Sequence, residues 1–566
     1  MRKISVAVSS LLLCSGFAKA ADMPNTVVAP PPVLWSWTGL YIGGHFGGGF
    51  GNSQFADPAG PAIYGGTVRS PAVFGGGQFG YNWQVPNSNF VLGVETDAGV
   101  MSANGTGTCL ASSGFFISAN CRVRPDAGGS LTGRIGLVTG PRGHTLLFVK
   151  GGGAWLDERV DIITNGILPP APTGFDGVRW GWTVGAGVEK ALTPAWSVKL
   201  EYDYANFGGS NLGTPASFLQ VLPPLPSGYL PTAGGTTSLG QTMQTVKMGL
   251  NYKFGQDLYA RWEPSASDFH LRGTTDAGYF PDAEIEIGGR VWYSTGRFQK
   301  DLGGSPDLPT TLLVSRLTYD TSAATGELFG RVDSSSNIFL KGFVGGGKLV
   351  SGNIHDEDWV AFNQSVPYSN TLSSPVTGNL GYGTVDAGYS LFRGPSSNVG
   401  FFVGFNYFSE DKSAYGCSQI ANRYSDCVPT LPNSTLALAE DDKWYSLRVG
   451  VNGVVTVWDR LKLTADAAYL PYVAFRGVDN HPLRVGVPST FSPETGSGQG
   501  VQLETILSYT FANSFSIGAG GRYWAMWAPN GYVNAFGTGC PCQPLPAKTE
   551  RYGAFLQASY KLDGLK

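Results

Sequence analysis

Asp356-Glu357-Asp358-Trp359 and Asp479-Asn480-His481 are two short polar clusters in the C-terminal half of this chain. Asp356/Asp358 and Asp479/His481 are both spaced i, i+2, so on extended backbone the two side chains of each pair project from one face. An Asp beside a His can orient the imidazole and raise its basicity until it takes a proton from water. Two close carboxylates cannot both ionise easily, so Asp356 and Asp358 would share a proton and hold that water. The chemistry on offer is hydrolysis by an activated water. It needs no covalent nucleophile, no metal and no cofactor.

Such a constellation requires two chain segments to be held face to face, and the rest of the sequence indicates how. Arg2 and Lys3, the apolar run 6–17 and Ala18-Lys19-Ala20 read as a secretory signal peptide over residues 1–20. No later stretch approaches the ~18 apolar residues of a membrane-spanning helix. With 81 Gly, 13% aromatic and 14% charged residues, the composition favours strands and turns over helices. The net charge of −3 supplies no basic field, so nucleic acid is excluded as a partner. Once the signal peptide is removed with Cys14, the remaining cysteines form local pairs. Cys109–Cys121 and Cys417–Cys427 read as loop disulfides of an exported protein, and Cys540-Pro541-Cys542 as a tight pair for which metal binding is a minor alternative.

After the Pro-rich lead at 29–32, period-2 alternation marks eight strands near 37–50, 70–84, 89–102, 130–139, 144–157, 177–191, 196–206 and 242–254. In Trp196-x-Val198-x-Leu200-x-Tyr202-x-Tyr204 the alternate positions are Ser197, Lys199, Glu201 and Asp203, which suits lipid outside and a polar lumen inside. Short turns alternate strictly with long Gly-, Pro- and Ser-rich loops, the periplasmic and extracellular ends of a bacterial outer-membrane barrel. Residues 255–282 break the pattern as a periplasmic linker. Ten further strands follow near 283–298, 311–333, 337–350, 375–393, 398–414, 442–457, 461–476, 500–511, 515–527 and 551–562. The expected fold is all-β: two antiparallel transmembrane β-barrels, an eight-stranded one over 35–254 and a ten-stranded one over 283–566. One fused barrel of eighteen strands is the alternative, and it would conduct. The expected location is the outer membrane of a Gram-negative cell, with lipid as a partner and the long loops extracellular. Oligomeric state is open.

In this arrangement Asp356 and Asp358 fall in the loop after the third strand of the second barrel, and Asp479 and His481 in the loop after the seventh. Those loops stand on nearly opposite walls of a ten-stranded ring. Trp524, Trp527 and Tyr445 read as an interfacial aromatic girdle, and Glu440-Asp441-Asp442 as solvated loop charge. Calcium binding by Asp356, Glu357 and Asp358 is a lesser alternative.

Residues 35–254 resemble the small outer-membrane barrels of the immunogenic porin-like family, through Trp37-Thr38-Gly39-Leu40-Tyr41-Ile42-Gly43-Gly44 and Asn251-Tyr252-Lys253-Phe254. Residues 283–562 resemble the omptins, ten-stranded outer-membrane endopeptidases with an Asp-x-Asp-Trp motif in the second exterior loop and Asp-x-His in the fourth. The resemblance implies that Asp479 and His481 activate water opposite Asp356 and Asp358, and that a peptide or protein at the cell surface is the substrate. Omptins cleave beside basic residues by means of acids low in the groove. This sequence departs there, since Gly477 and Lys300 stand where the resemblance would place those acids. The stretch around Phe405-Asn406-Tyr407-Phe408-Ser409 also lacks the family's lipopolysaccharide-contacting pattern. A non-catalytic barrel, porin-like or adhesive, is the alternative function.

Overall fold

A computed structural model of the chain describes residues 35–57, 62–111, 118–140, 143–164, 173–221, 228–255, 283–303, 313–359, 368–394, 397–421, 426–458, 460–511, 514–539 and 543–563. The signal peptide, the linker beyond Gly255 and Cys540-Pro541-Cys542 lie outside the described residues.

Eight long antiparallel strands form the first ring: β1 (Gly39–Phe55), β2 (Thr67–Gln84), β3 (Phe90–Ala103), β4 (Ala119–Thr139), β5 (Thr145–Thr164), β6 (Thr173–Ala191), β7 (Trp196–Gly213) and β8 (Thr236–Lys253). Each pairs with its sequence neighbour, and β8 returns to pair with β1. Ten more form the second: β9 (Ala283–Gly303), β10 (Leu313–Ser334), β11 (Ile338–Asp358), β12 (Val376–Gly394), β13 (Ser397–Gln419), β14 (Leu431–Trp458), β15 (Leu461–Asn480), β16 (Phe491–Thr510), β17 (Phe515–Val533) and β18 (Ala547–Asp563). Here β18 closes on β9 over Glu284↔Asp563 to Lys300↔Ala547. Both closures exclude the fused eighteen-stranded ring, because every edge of each sheet is already paired within that sheet.

The two-residue period explains the burial pattern. Leu40, Ile42, Trp180, Trp182 and Val184 are exposed on the outside of the first ring, and Ile287, Val291, Leu328 and Val344 on that of the second. The alternate positions fill the lumens. Lys199 donates to Glu95, Lys150 to Glu201 and Lys247 to Asp97 at 2.6–2.8 Å, and all are buried. In the second ring Arg522 joins Glu327 and Glu504 beneath an aromatic layer of Trp292, Phe343, Tyr382 and Trp524. These buried charges survive because each is paired and hydrogen-bonded.

Two aromatics expected in the girdle sit elsewhere. Trp524 alternates with outward Tyr523 and therefore points into the lumen. Trp527 points outward but is buried with Val501, Leu503 and Met248, because the first ring covers that face. Tyr445 does face outward, packed against Tyr407.

The strands of the second ring are longer than the alternation of apolar residues. β11 runs to Asp358, β15 to Asn480, and β16 begins at Phe491. Ladder pairing continues after the apolar outer face has ended, so a strand-built wall rises beyond the apolar band. Asp356, Asp358 and Asp479 consequently lie on strands rather than in loops, and only His481 follows a strand end.

Candidate active site

The wall encloses a groove of ≈ 600 Å³ lined by Asp356, Asp358, Asp479, His481, Asp426 and Arg484, among others. On β11 the inward positions are Asp356 and Asp358, while Glu357 between them points out of the ring and is fully buried there. The three carboxylates do not converge, which removes the calcium reading of this cluster. Asp356 is half-buried in the groove wall and Asp358 is exposed at its lip. Desolvation, then the charge of Asp358, pushes the Asp356 carboxyl up to about 8. Asp358 is raised as well, so the two carboxyls hold a proton as a pair.

His481 stands just past the end of β15. Its Nε2 lies 2.8 Å from Asp479 Oδ2, so an Nε2–H donates to the carboxylate and Nδ1 is left to accept a proton. A turn fixes the residue: the His481 amide donates to Thr490 O and its carbonyl accepts from Arg484, each at 3.0 Å. The Phe536 ring meets the imidazole edge-on at 5.4 Å. Burial opposes a charge on His481, but the Asp479 carboxylate outweighs it, so the imidazole is more basic than usual. For Asp479 burial also acts against charge, and Lys300 with His481 overrides it, holding the carboxyl well below the ordinary range.

Behind Asp479 the barrel interior holds a buried cluster that the sequence did not reveal. Lys300, on β9, is fully buried, with Nζ 2.7 Å from Glu494 Oε1, 3.2 Å from Asp479 Oδ2 and 2.5 Å from Glu440 Oε2. Glu440 is across the ladder from Asp479 and Glu494 across from Gly477. A Cβ on Gly477 would lie 2.9 Å from Glu494 Oε2 and 3.2 Å from Glu440 Oε1, so the two carboxyls occupy the space a side chain at 477 would take. Acids are thus present behind the groove wall, supplied by neighbouring strands and paired with Lys300. Burial, then their mutual charge, raises Glu440 well above the usual range; burial pushes Glu494 up to about 7. Asp442 is likewise buried, accepting from Lys412 and from Trp444 Nε1. Reading 440–442 as solvated charge was wrong for Glu440 and Asp442. Their spacing with Trp444 at every second position was the available signal.

Residues 10–254 match the outer membrane protein beta-barrel domain. Over 248 residues the chain is 31% identical to the 31 kDa outer-membrane immunogenic protein of Brucella melitensis, covering 42% of this chain and 93% of that protein. The chain belongs to this outer-membrane β-barrel family. It is also 29% identical over 227 residues to the 22 kDa outer membrane protein of Rhizobium leguminosarum bv. viciae, covering 40% of this chain and 82% of that one. Among solved structures, the outer membrane protease OmpT of Escherichia coli aligns at 13% identity and TM-score 0.42, covering 50% of this chain and 97% of that one. As a member of the family the chain is an outer-membrane protein whose strands cross the bilayer. The family match ends at residue 254, so the groove residues lie beyond it.

Proposed function

We propose that the second barrel is an endopeptidase of the outer membrane, hydrolysing peptide bonds at the cell surface with a water activated by His481. The observation that carries this reading is the Asp479–His481 pair, at 2.8 Å, sharing one groove with Asp356 and Asp358. The resemblance of Asp356-Glu357-Asp358-Trp359 and Asp479-Asn480-His481 to the omptin motifs supports it.

The residues divide the work by their protonation. Asp479 stays ionised and fixes the His481 tautomer, so Nδ1 accepts the proton of a water held by Asp356 and Asp358. The hydroxide adds to the peptide carbonyl carbon, and the proton held by the Asp356/Asp358 pair hydrogen-bonds to the oxygen on which charge develops without leaving the pair. As the C–N bond breaks, His481 returns its proton to the leaving nitrogen, giving a carboxylic acid and an amine.

Outer-membrane vesicles carrying the chain are expected to cleave an unstructured peptide library. His481→Ala and Asp479→Ala should each lower the rate by about 100-fold or more, the usual scale for loss of a general base. Equal cleavage by wild type and both variants would sink the enzymatic reading and leave a non-catalytic surface barrel.

A further inference from the structure

We propose that the first barrel is a built-in brace for this groove. Its hairpin, formed by Gly105–Cys109 and the start of β4, docks on the outer face of the strand whose inner face carries Asp356 and Asp358, and holds those carboxyls in position. The inference rests on the endopeptidase reading for its activity arm only.

The alternation of a β-strand makes this coupling direct. Asp356 and Asp358 point into the groove, so Glu357 must point out. There its Oε2 accepts from Thr108 of the first barrel at 2.8 Å and its Oε1 from Tyr368 at 2.6 Å. Arg316 on β10 is the ladder partner of Glu357. One edge of its guanidinium is fastened to Asp301 by two bonds of 2.7 Å. The remaining donors reach the hairpin, at Thr108 Oγ1 (2.9 Å), Thr106 Oγ1 (3.0 Å) and Asn120 Oδ1 (2.7 Å). Trp359, which ends the motif, donates from Nε1 to Ser118 Oγ at 2.6 Å. His355, which precedes Asp356, is stacked against the Tyr64 ring at 3.7 Å.

The hairpin is itself a rigid platform. Gly105–Cys109 is laddered to β4 from Gly105↔Val123 to Cys109↔Ala119, and Cys109–Cys121 bridges the two arms. Tyr368 and Asp301 belong to the second barrel, so Glu357 and Arg316 keep those partners without the hairpin but lose Thr108, Thr106 and Asn120, and each buried group is left with part of its hydrogen bonding unmade. Loss of the hairpin therefore releases the outward side chains of β11, and the inward pair moves with them. Thr108 and Asn120 act here as positioning residues. They touch neither the groove nor a substrate.

The test uses the full chain in detergent micelles with Thr108→Val/Asn120→Leu, which removes the hydrogen bonds with little change of volume. Cleavage of a peptide should fall about 10-fold in kcat with KM nearly unchanged, a modest share of the loss that a misplacement near 1 Å produces. Thr108→Ser should restore the single-site loss. The second readout does not depend on cleavage: the His481 ring titration followed by NMR and assigned with His481→Gln. The groups facing this imidazole are Asp479 and the Asp356/Asp358 pair, which raise its basicity, and Lys300, which lowers it. Displacing Asp356 should move the titration to lower pH by about half a unit, a differential interaction of under 1 kcal/mol by the usual conversion. A wild type that does not cleave but whose His481 titration shifts in the variant overturns the endopeptidase reading and upholds the brace. A titration and a kcat that both stay at wild-type values overturn the brace. If the double variant does not insert, Thr108→Val alone carries the same two readouts.

Discussion

His481 and Lys300 both contact one oxygen of Asp479, at 2.8 and 3.2 Å, and that shared oxygen sets the pH behaviour of the groove. The Asp479 charge raises the His481 titration above its ordinary value, so the base is protonated, and idle, at acid pH. Neutralising the partner removes that stabilisation of the imidazolium. Asp479→Asn should therefore shift the acidic limb of the pH–rate profile to lower pH while lowering its maximum; a limb that moves to higher pH or stays in place would contradict the pairing. Lys300 makes the second prediction. Without it, Glu440, Asp479 and Glu494 offer oxygens within 4.8 Å of one another and lose the ammonium that contacts all three. Lys300→Ala should destabilise the second barrel by about 3–5 kcal/mol, the scale for stripping one partner from a buried pair. Three converging carboxylates suit a hard cation, so millimolar calcium should recover part of the lost thermal midpoint in the variant and do little to wild type. A variant midpoint unaffected by calcium would show that protonation alone relieves the cluster. The Asp-x-His pair was legible in the sequence because its two members are adjacent on one strand end. The Lys300 cluster was not, because its four members come from β9, β14, β15 and β16.

At the scale of elements, the wall above the membrane explains both what the sequence pattern captured and what it missed. Where lipid touches the sheet, apolar and polar residues must alternate, and every strand was recognisable there. Above the lipid the outer face has no such requirement, so the pattern fades at Val350 and Arg476 while the ladder continues to Asp358 and Asn480. The motif residues were correctly placed on opposing segments but read as loop residues for that reason. β11 also carries a prediction about stability. Burial pushes Glu357 up to about 7, against the lowering effect of Arg316. A carboxyl whose folded value is raised binds its proton more tightly when folded. Its contribution is full below the ordinary value near 4.5 and is lost as pH rises through about 7, on the order of 3 kcal/mol over the whole window. Glu357→Gln cannot lose a proton, and its amide still meets two hydroxyls. The variant should thus resist unfolding between pH 6 and 8 better than wild type, with the two converging toward pH 4. A wild-type slope retained in the variant would assign the alkaline loss to another group.

The whole molecule is two rings in contact along an apolar seam within the bilayer and along the polar hairpin above it. In the seam, Phe46, Phe50 and Val246 of the first ring meet Val501, Leu503, Ala525 and Trp527 of the second. Arg69 lies over the rings of Phe50 and Tyr552 at 4.7 and 4.9 Å and 3.3 Å from Glu550. Sequence could not distinguish these side chains from lipid-facing ones, since a neighbouring barrel and an acyl chain make the same chemical demand. The one local sign is Gly47-Gly48-Gly49, because small residues let backbones approach closely inside a membrane. A Cβ at outward-facing Gly48 would lie 2.6 Å from Val501 Cγ2, whereas Gly44, on the same face of the same strand, is exposed and would meet nothing nearer than Gly76 O at 3.7 Å. Gly48→Leu should therefore separate the rings while leaving each one closed, and Gly44→Leu should not. With a protease site placed between 256 and 282 and cut in mild detergent, the two barrels should co-purify in wild type and Gly44→Leu but part in Gly48→Leu. Co-purification of all three would mean that the hairpin contacts alone hold the rings together, and separation of all three that the seam needs the covalent link.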